Sequence, residues 1–365
     1  MGMRRLALCS AESTNLFGLD REQLASFLEP FGVPSFHARQ VYRWLYARRS
    51  FEPECWTDLP QPLRVAIAGA AVVDPGRVES RVEAGDDTVK YRVLLPRGDA
   101  VECVSMVQSS RSTLCLSSQV GCALACDFCL TGTMGLLRQL TPGEIAAQVA
   151  LIAREGGLAG RPFNLVFMGM GEPLHNYDAV LAAIRLLADP DGFAVPPRRI
   201  TLSTAGLAPA IERLGREPLR PRLAVSLNAT TDELRDRLMP INRKYPLARL
   251  LAACDRFGAG TGERVTFEYV LLDGVNDTEQ DVRRLGPLVR GRAAKLNLIP
   301  FNPVPGRLPY RSPSRERVLR IRDRLLATRV PVSIRWSRGA EVRAACGQLA
   351  LLDPPAAPGT GRRAE

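Results

Sequence analysis

Cys122, Cys126 and Cys129 fall in the run Gly121-Cys-Ala-Leu-Ala-Cys-Asp-Phe-Cys, a Cys-x3-Cys-x2-Cys spacing. Three thiolates on one short loop can converge on one metal centre. A closed structural zinc site, or a fully ligated iron–sulfur cluster, takes four protein ligands. No histidine or fourth cysteine follows at the spacing of a zinc finger. Two arrangements fit: a 4Fe–4S cluster with one iron open to an outside molecule, or a structural zinc clamp completed by Cys115 or Cys103. The chain holds nine cysteines but only two histidines, His37 and His175, so histidine-based metal sites and Ser–His or Cys–His triads are poorly supplied. Cys9, Cys55 and Cys254 stand alone and read as small hydrophobes.

The elements around this loop alternate in type. Apolar patterning predicts strands over 88–95 and 100–107, joined by the turn-like Pro96-Arg-Gly-Asp. Further strands are predicted over 113–117, 164–168, 199–203, 223–227, 264–271, 295–299 and 332–336. Helical spacing separates most of the later ones, for example over 144–153, 178–187 and 315–327. From 112 onward this predicts an α/β fold, a parallel sheet with helices outside it, open or closed into a barrel. Polar and glycine-rich signatures recur at the strand ends: Gly169-Met-Gly-Glu-Pro, Ser203-Thr-Ala-Gly, Ser226-Leu-Asn and Asn302-Pro-Val-Pro-Gly. Barrel-like sheets place their chemistry at such ends, so a shared ligand site is expected there. Gly169 and Gly171 would let backbone approach the ligand. Glu172, Ser203, Ser226, Asn228 and Asn302 would offer donors and acceptors.

Ahead of the sheet, residues from about 17 to 67 read as helical, with helical spacing of Leu24, Phe27 and Leu28 and a second such run from Phe36. This stretch carries Arg39, Arg43, Arg48 and Arg49, either a solvated face or one turned towards RNA. The expected organisation is an N-terminal helical accessory, RNA-binding module over 15–75, a linking β segment over 76–111, a catalytic domain over 112–352 and a disordered tail over 353–365. A hydrophobic fraction of 46% and a charged fraction of 24% are ordinary for a globular protein. The net charge of +11, from 49 Lys and Arg against 38 Asp and Glu, favours a polyanionic partner, most commonly nucleic acid. No apolar run approaches the roughly 20 residues of a membrane span, and the apolar stretch at the start is too short for a signal peptide. A cytoplasmic location without a membrane partner is expected, and structural disulfides are not.

The cysteine spacing resembles the signature of the radical S-adenosylmethionine (SAM) superfamily. Five further segments carry a closer likeness: Thr113-Leu-Cys-Leu-Ser-Ser-Gln-Val-Gly-Cys, Gly169-Met-Gly-Glu-Pro, Pro240-Ile-Asn-Arg-Lys-Tyr-Pro, Leu298-Ile-Pro-Phe-Asn-Pro-Val-Pro-Gly and Arg338-Gly-Ala-Glu-Val-Arg-Ala-Ala-Cys-Gly-Gln-Leu. Together they resemble the dual-specificity rRNA adenine-C2 methyltransferase family, RlmN, with its carbon-8 relative Cfr, over residues 15 to 352. The resemblance implies a partial (β/α)6-type barrel with a small N-terminal helical module and a short β extension. It implies a 4Fe–4S cluster on Cys122, Cys126 and Cys129, whose open iron chelates SAM and cleaves it to a 5′-deoxyadenosyl radical. SAM contacts then fall on Gly171, Glu172, Ser203, Ser226, Leu227, Asn228 and Asn302. Family members often carry Ser-Leu-His where this chain has Ser226-Leu-Asn228; asparagine can bond a ribose hydroxyl but offers no ionic or acid–base role.

The implied route uses two SAM per turnover. Cys346 takes a methyl group from the first and becomes S-methylcysteine. The radical from the second abstracts hydrogen from that methyl group, and the methylene radical adds to the adenine carbon. Cys115 then attacks the sulfur of Cys346, and a transient disulfide releases the methylated base. The matching proton acceptor is Glu102. Strand alternation sets it with Ala100, Val104 and Met106, an apolar set that would raise its pKa, while neighbouring Cys103 faces the other way and packs. The expected partners are 23S rRNA, a tRNA adenine beside the anticodon, and an electron donor such as flavodoxin, with the chain acting as a monomer. The competing expectations are carbon-8 methylation and a non-catalytic RNA-binding protein with a metal clamp.

Overall fold

The computed structural model describes residues 14–108, 111–158 and 161–351. Cys9 and the tail at 353–365 lie outside the described residues. A short strand β1 (Thr14–Asn15) leads into α1 (Arg21–Leu28), α2 (Phe36–Tyr42) and α3 (Gln61–Ala70), and β2 (Ala71–Val72) returns parallel to β1. There follow β3 (Arg77–Glu83), β4 (Thr88–Leu94), β5 (Ala100–Gln108), β6 (Arg111–Cys115) and a two-stranded ribbon, β7 (Gln119–Cys122) with β8 (Gly135–Gln139). The chain then alternates through α4 (Pro142–Glu155), β9 (Phe163–Phe167), α5 (Tyr177–Ala188), β10 (Ile200–Thr204), α6 (Ala208–Leu214) and β11 (Arg222–Ser226). It ends with α7 (Asp232–Leu238), α8 (Leu247–Thr261), β12 (Val265–Leu271), α9 (Glu279–Val289), β13 (Ala294–Pro300), α10 (Arg315–Ala327) and β14 (Val332–Ile334).

Ten strands form one sheet in the order β14-β13-β12-β11-β10-β9-β6-β5-β4-β3. From β6 to β14 every neighbouring pair is parallel and follows chain order. Each of these connections carries at least one helix, as parallel pairing requires. β5, β4 and β3 extend the sheet antiparallel, as the expected β extension. The sheet curls, because Val104 of β5, Thr113 of β6, Ile299 of β13 and Arg335 after β14 face one cavity. Residues 335–351 run back across the gap between β14 and β5. Along the way the Gly339 N–H bonds Asp86 Oδ2 at 3.0 Å and the Ala350 N–H bonds Glu102 Oε2 at 2.9 Å. This is the partial barrel that the family resemblance implies.

Local chemistry starts the helices cleanly. Thr141 caps α4 in a reciprocal capping box with Glu144, and Pro142 takes the first helical position, where its missing N–H costs nothing. Asp20 and Gln23 do the same for α1. Glu144 also receives Arg138 of β8 at 2.8 Å, and Arg138 reaches Asp99 in the β4–β5 turn at 2.6 Å. One guanidinium therefore straps the ribbon to the sheet and to α4.

The helical module packs on the sheet domain through backbone contact. A Cβ at Gly143, in the first turn of α4, would lie 2.7 Å from the Phe17 carbonyl oxygen and 2.9 Å from Gly18 Cα. The Tyr46 hydroxyl accepts from the Gly18 N–H and donates to the Leu19 carbonyl, both at 2.8 Å. Arg21, Arg39, Arg43 and Arg48 of this module remain exposed and make surface ion pairs. Arg39 and Arg21 reach Asp191, in the α5–β10 connection, at 2.8 and 3.1 Å, and Arg43 approaches it at 3.6 Å. Arg48 lies over the Trp44 ring at 3.9 Å and near Asp58. These cations clasp the module to the barrel and to itself.

Alanine normally favours a helix over glycine, yet Gly143→Ala is expected to destabilise by about 1–3 kcal/mol, the cost of overpacking, because the opposing atoms are backbone. Thermal unfolding with hydrogen exchange over residues 14–20 checks this; a neutral or stabilising result would show that the module shifts freely.

Candidate functional site

The cysteine loop is framed by the β7–β8 ribbon. Cys122 ends β7 and pairs with Gly135. The Cys129 N–H bonds the Cys126 carbonyl and the Gly132 N–H bonds the Cys129 carbonyl, both at 3.0 Å, which folds the loop back on itself. All three thiols line one cleft of about 920 Å³ of empty space, its open mouth included, a size suited to a small-molecule ligand. Burial, more than any neighbour, raises each thiol pKa; Cys122 is pushed up to about 12, and the loop cysteines disfavour one another's ionisation. Cys103 and Cys115 do not line this cleft.

Opposite the loop stand the ends of the parallel strands. Gly171, Glu172, Ser203, Ser226, Asn228 and Asn302 line the same cleft. Glu172 is buried, its Oε1 accepting from the Leu174 N–H at 3.0 Å and its Oε2 from the Ala205 N–H at 2.7 Å. Burial pushes this carboxyl up to about 7, with the Ala205, Thr204 and Leu174 hydrogen bonds opposing. Asn228 is buried and largely committed: its Oδ1 accepts from the Val270 N–H at 2.8 Å, tying β11 to β12, at a φ of 56° that asparagine tolerates. Leu227 departs from the expected lining; its side chain is fully buried in the core, and its N–H and carbonyl bond Glu268, Ala229 and Arg235 of the scaffold. Gly169 and Gly171 line the cleft too, and their Cβ positions are closed off by the chain. A Cβ at Gly169 would meet the Leu116 carbonyl and Ser117 Oγ at 2.7 Å, and one at Gly171 would meet the Gln119 side chain at 2.5 Å. Their bareness makes room for the chain itself.

Arg235 was not singled out by sequence reasoning, and it holds this rim together. It is fully buried and donates to the carbonyls of Ala205 (2.7 Å), Ser226 (3.0 Å) and Leu227 (3.0 Å) and to Asn242 Oδ1 (2.9 Å). Asn242 in turn donates to Asp232 and Asp236, which explains the Pro240-Ile-Asn run physically. Burial, the largest influence, lowers the Arg235 pKa to about 10.

Cys346 sits where two cavities meet. It lines the cysteine-loop cleft, and with Met168, Ile299 and Asn302 it also lines a second cavity that contains Cys115, Arg335, Trp336 and Arg338. Its carbonyl accepts from Asn302 Nδ2 at 3.1 Å, and the next carbonyl, of Gly347, accepts from the Leu130 N–H at 2.8 Å. The segment is thereby docked on the cysteine loop. Glu102 is buried, but among a mixed set of neighbours: it pairs with buried Lys90 at 3.0 Å and accepts from the Ala350 N–H. It lines neither cavity. Cys103 packs in the core.

Residues 116–286 match the Radical SAM superfamily, and residues 14–73 match the ribosomal RNA large subunit methyltransferase N-terminal domain. The dual-specificity RNA methyltransferase RlmN of Anaeromyxobacter dehalogenans is 47% identical over 353 residues, covering 95% of this chain and 94% of the relative. That of Geobacter sulfurreducens is 48% identical over 349 residues, covering 95% of each. A crystal structure of a radical SAM methyltransferase from Sphaerobacter thermophilus superposes with a TM-score of 0.88 at 45% identity, covering 92% of this chain and 99% of that one. The chain belongs to the RlmN family. It is a radical SAM RNA methyltransferase, and the RlmN family relies on a 4Fe–4S cluster and SAM.

The cleft suits that pair of groups. Three thiols that burial and mutual repulsion keep protonated need a cationic centre to ionise them. Among the described residues no group of three or more His, Cys, Asp or Glu is set to hold a single metal ion. No helix among the described residues is long and apolar enough to cross a membrane.

Arg235→Met would leave the carbonyls of Ala205, Ser226 and Leu227 without their buried donor. We expect a loss of roughly 3 kcal/mol or more, at about 1–3 kcal/mol per abandoned group, together with weaker SAM binding. Thermal unfolding and isothermal titration with SAM measure both; unchanged affinity in a folded variant would show that Arg235 does not set the rim.

Proposed function

We propose that this enzyme methylates carbon 2 of adenine in 23S rRNA, and of a tRNA adenine beside the anticodon, with Cys346 as the methyl carrier. The observation that supports this reading is the position of Cys346, in the wall shared by the cysteine-loop cleft and the Cys115 cavity. An adenine C–H is not nucleophilic, so a methyl group cannot pass directly from a sulfonium to that carbon. A thiolate can take it first. Cys122, Cys126 and Cys129 would hold the cluster, and Gly171, Glu172, Ser203, Ser226, Asn228 and Asn302 would surround SAM. When bound, the two together supply one-electron chemistry that activates the methyl group for transfer.

The chain's own residues do the rest. Cys346 accepts the methyl group from one SAM, and a second SAM is consumed in activating it. Asn302 orients the carrier through its carbonyl. Glu102 takes the proton from the adenine carbon, the Ala350 amide giving way as the base enters, while Lys90 remains its counter-ion. Cys115 attacks the Cys346 sulfur and frees the base. The electron donor is of the flavodoxin kind, the chain acts as a monomer in the cytoplasm, and the N-terminal module contributes to RNA binding.

Digestion of treated 23S rRNA and tRNA to nucleosides, followed by chromatography and mass spectrometry, is expected to show 2-methyladenosine. The appearance of 8-methyladenosine would overturn the choice of atom. Cys346→Ala should abolish the product, and Cys115→Ala should accumulate a covalent protein–RNA adduct under reducing turnover conditions. Absence of that adduct would remove the release step from Cys115.

A further inference from the structure

Arg335 directly follows β14, and the route above gives it no task. Its N–H bonds the Leu298 carbonyl at 2.8 Å, fixing the backbone to β13, and its Nη1 lies 3.0 Å from the sulfur of Met168. The Met168 amide in turn favours the Cys115 thiolate. One residue at the end of β9 thus spaces the guanidinium from the thiol, and the guanidinium lines the same cavity as Cys115 and Cys346. The other titratable groups facing Cys115 are Cys103 on β5, Glu268 on β12 and Cys346 itself; Arg338 lines the same cavity but lies 3.5 Å from Asp86, and Arg335 answers Cys346 first, then Glu268 and Cys115.

A thiol in this setting resists ionisation. Burial foremost, then Cys346, push Cys115 up to about 12, with Arg335 and the Met168 amide opposing and Glu268 adding to the rise. An ordinary cysteine ionises near 8.5, and only the thiolate attacks sulfur. We propose that Arg335 is a positioning residue that holds a fixed positive charge beside Cys115 and so enables its thiolate to attack Cys346. The inference rests on the release step assigned to Cys115 above.

In that step the Cys115 proton leaves to solvent, and its sulfur forms an S–S bond with Cys346 as the S–C bond to the base-linked methylene breaks. The electron pair of the broken bond stays on carbon, which takes a proton from water and leaves as a methyl group. Two thiols are oxidised by two electrons and the carbon is reduced by the same two.

The test is the pH profile of iodoacetamide alkylation at Cys115 in anaerobic, cluster-loaded enzyme, mapped by peptide mass spectrometry. Buried Cys254 in α8 serves as an internal reporter of unfolding. Arg335→Met is expected to raise the midpoint by about one unit, slowing alkylation near neutral pH roughly tenfold. Arg335→Lys should restore most of the rate, and Glu268→Gln, which removes an opposing charge, should lower the midpoint. An unmoved midpoint in Arg335→Met with Cys254 still protected overturns the inference. Should Cys254 lose protection in that variant, the Glu268→Gln profile decides, a downward shift supporting the inference and no shift overturning it. The Cys115→Ala adduct assay separates the two claims. A shifted midpoint with no adduct would leave the charge pairing standing without a release role; an adduct with an unmoved midpoint would do the reverse.

Discussion

The return of residues 335–351 across the open side of the sheet is the contact on which the rest of the site depends. Without it the parallel strands would still form a cleft, but Cys346 would have no fixed place in its wall. The segment is held from several sides: Asp86 accepts from Gly339, Glu102 accepts from Ala350, the Gly347 carbonyl accepts from Leu130, and Gln348 donates to the Pro303 carbonyl at 3.1 Å. These anchors belong to the β3–β4 turn, β5, the cysteine loop and the segment after β13. A displacement of the curled sheet at any of these places would therefore be felt at Cys346.

A second constraint is the supply of buried polar partners. Strand ends at the rim of a barrel leave carbonyls and amides that no neighbouring strand satisfies, and water is kept out by Leu238, Met239 and Phe301. Arg235 answers the carbonyls of β10 and β11, and Glu172 answers the amides of Ala205 and Leu174. Asn228 and Asn276 join the ends of β11 and β12, Asn276 donating to the Asn228 and Val270 carbonyls at 2.8 and 2.7 Å. Several of the polar residues expected to meet a ligand are thus already bonded within the chain. Their acceptor capacity towards SAM is what remains after the scaffold is satisfied, which is a general property of preorganised sites.

The parallel core was legible because each strand is an apolar run followed by a helical period. β3 was not: Arg-Val-Glu-Ser-Arg-Val-Glu places only Val78 and Val82 half-buried on an edge strand, and edge strands carry little apolar signal. β8, Gly-Leu-Leu-Arg-Gln, was hidden for a different reason, since it pairs only with β7 and lies outside the main sheet. The cysteines of the cleft were legible from spacing, and Cys346 and Cys115 from likeness to the family. Arg235 and Arg335 escaped because an arginine in an otherwise basic chain looks like surface. Helix α7, Asp-Glu-Leu-Arg-Asp-Arg-Leu, does hold a clue: Arg235 and Leu238 are its buried positions, three residues apart, so the guanidinium sits on the inward stripe.

The shared wall also bears on the order of events in the proposed route. A carrier sulfur must face a methyl donor first and a resolving thiol later. Because Cys346 lines both cavities, it can do so without moving its backbone, which the Gly347 and Asn302 hydrogen bonds hold in place. Glu102 is placed under the opposite condition. Its Oε2 is occupied by the Ala350 amide and it faces neither cavity, so its use as a base requires the last turn of the segment to loosen. Giving up one such hydrogen bond to a charged acceptor costs about 1.5–3 kcal/mol, well within what an RNA interface can return. The base would then become available only once RNA is seated, after the carrier has been loaded. In the proposed route the Ala350 hydrogen bond would keep Glu102 from serving as proton acceptor until then, so deprotonation of the base would be tied to the arrival of the substrate.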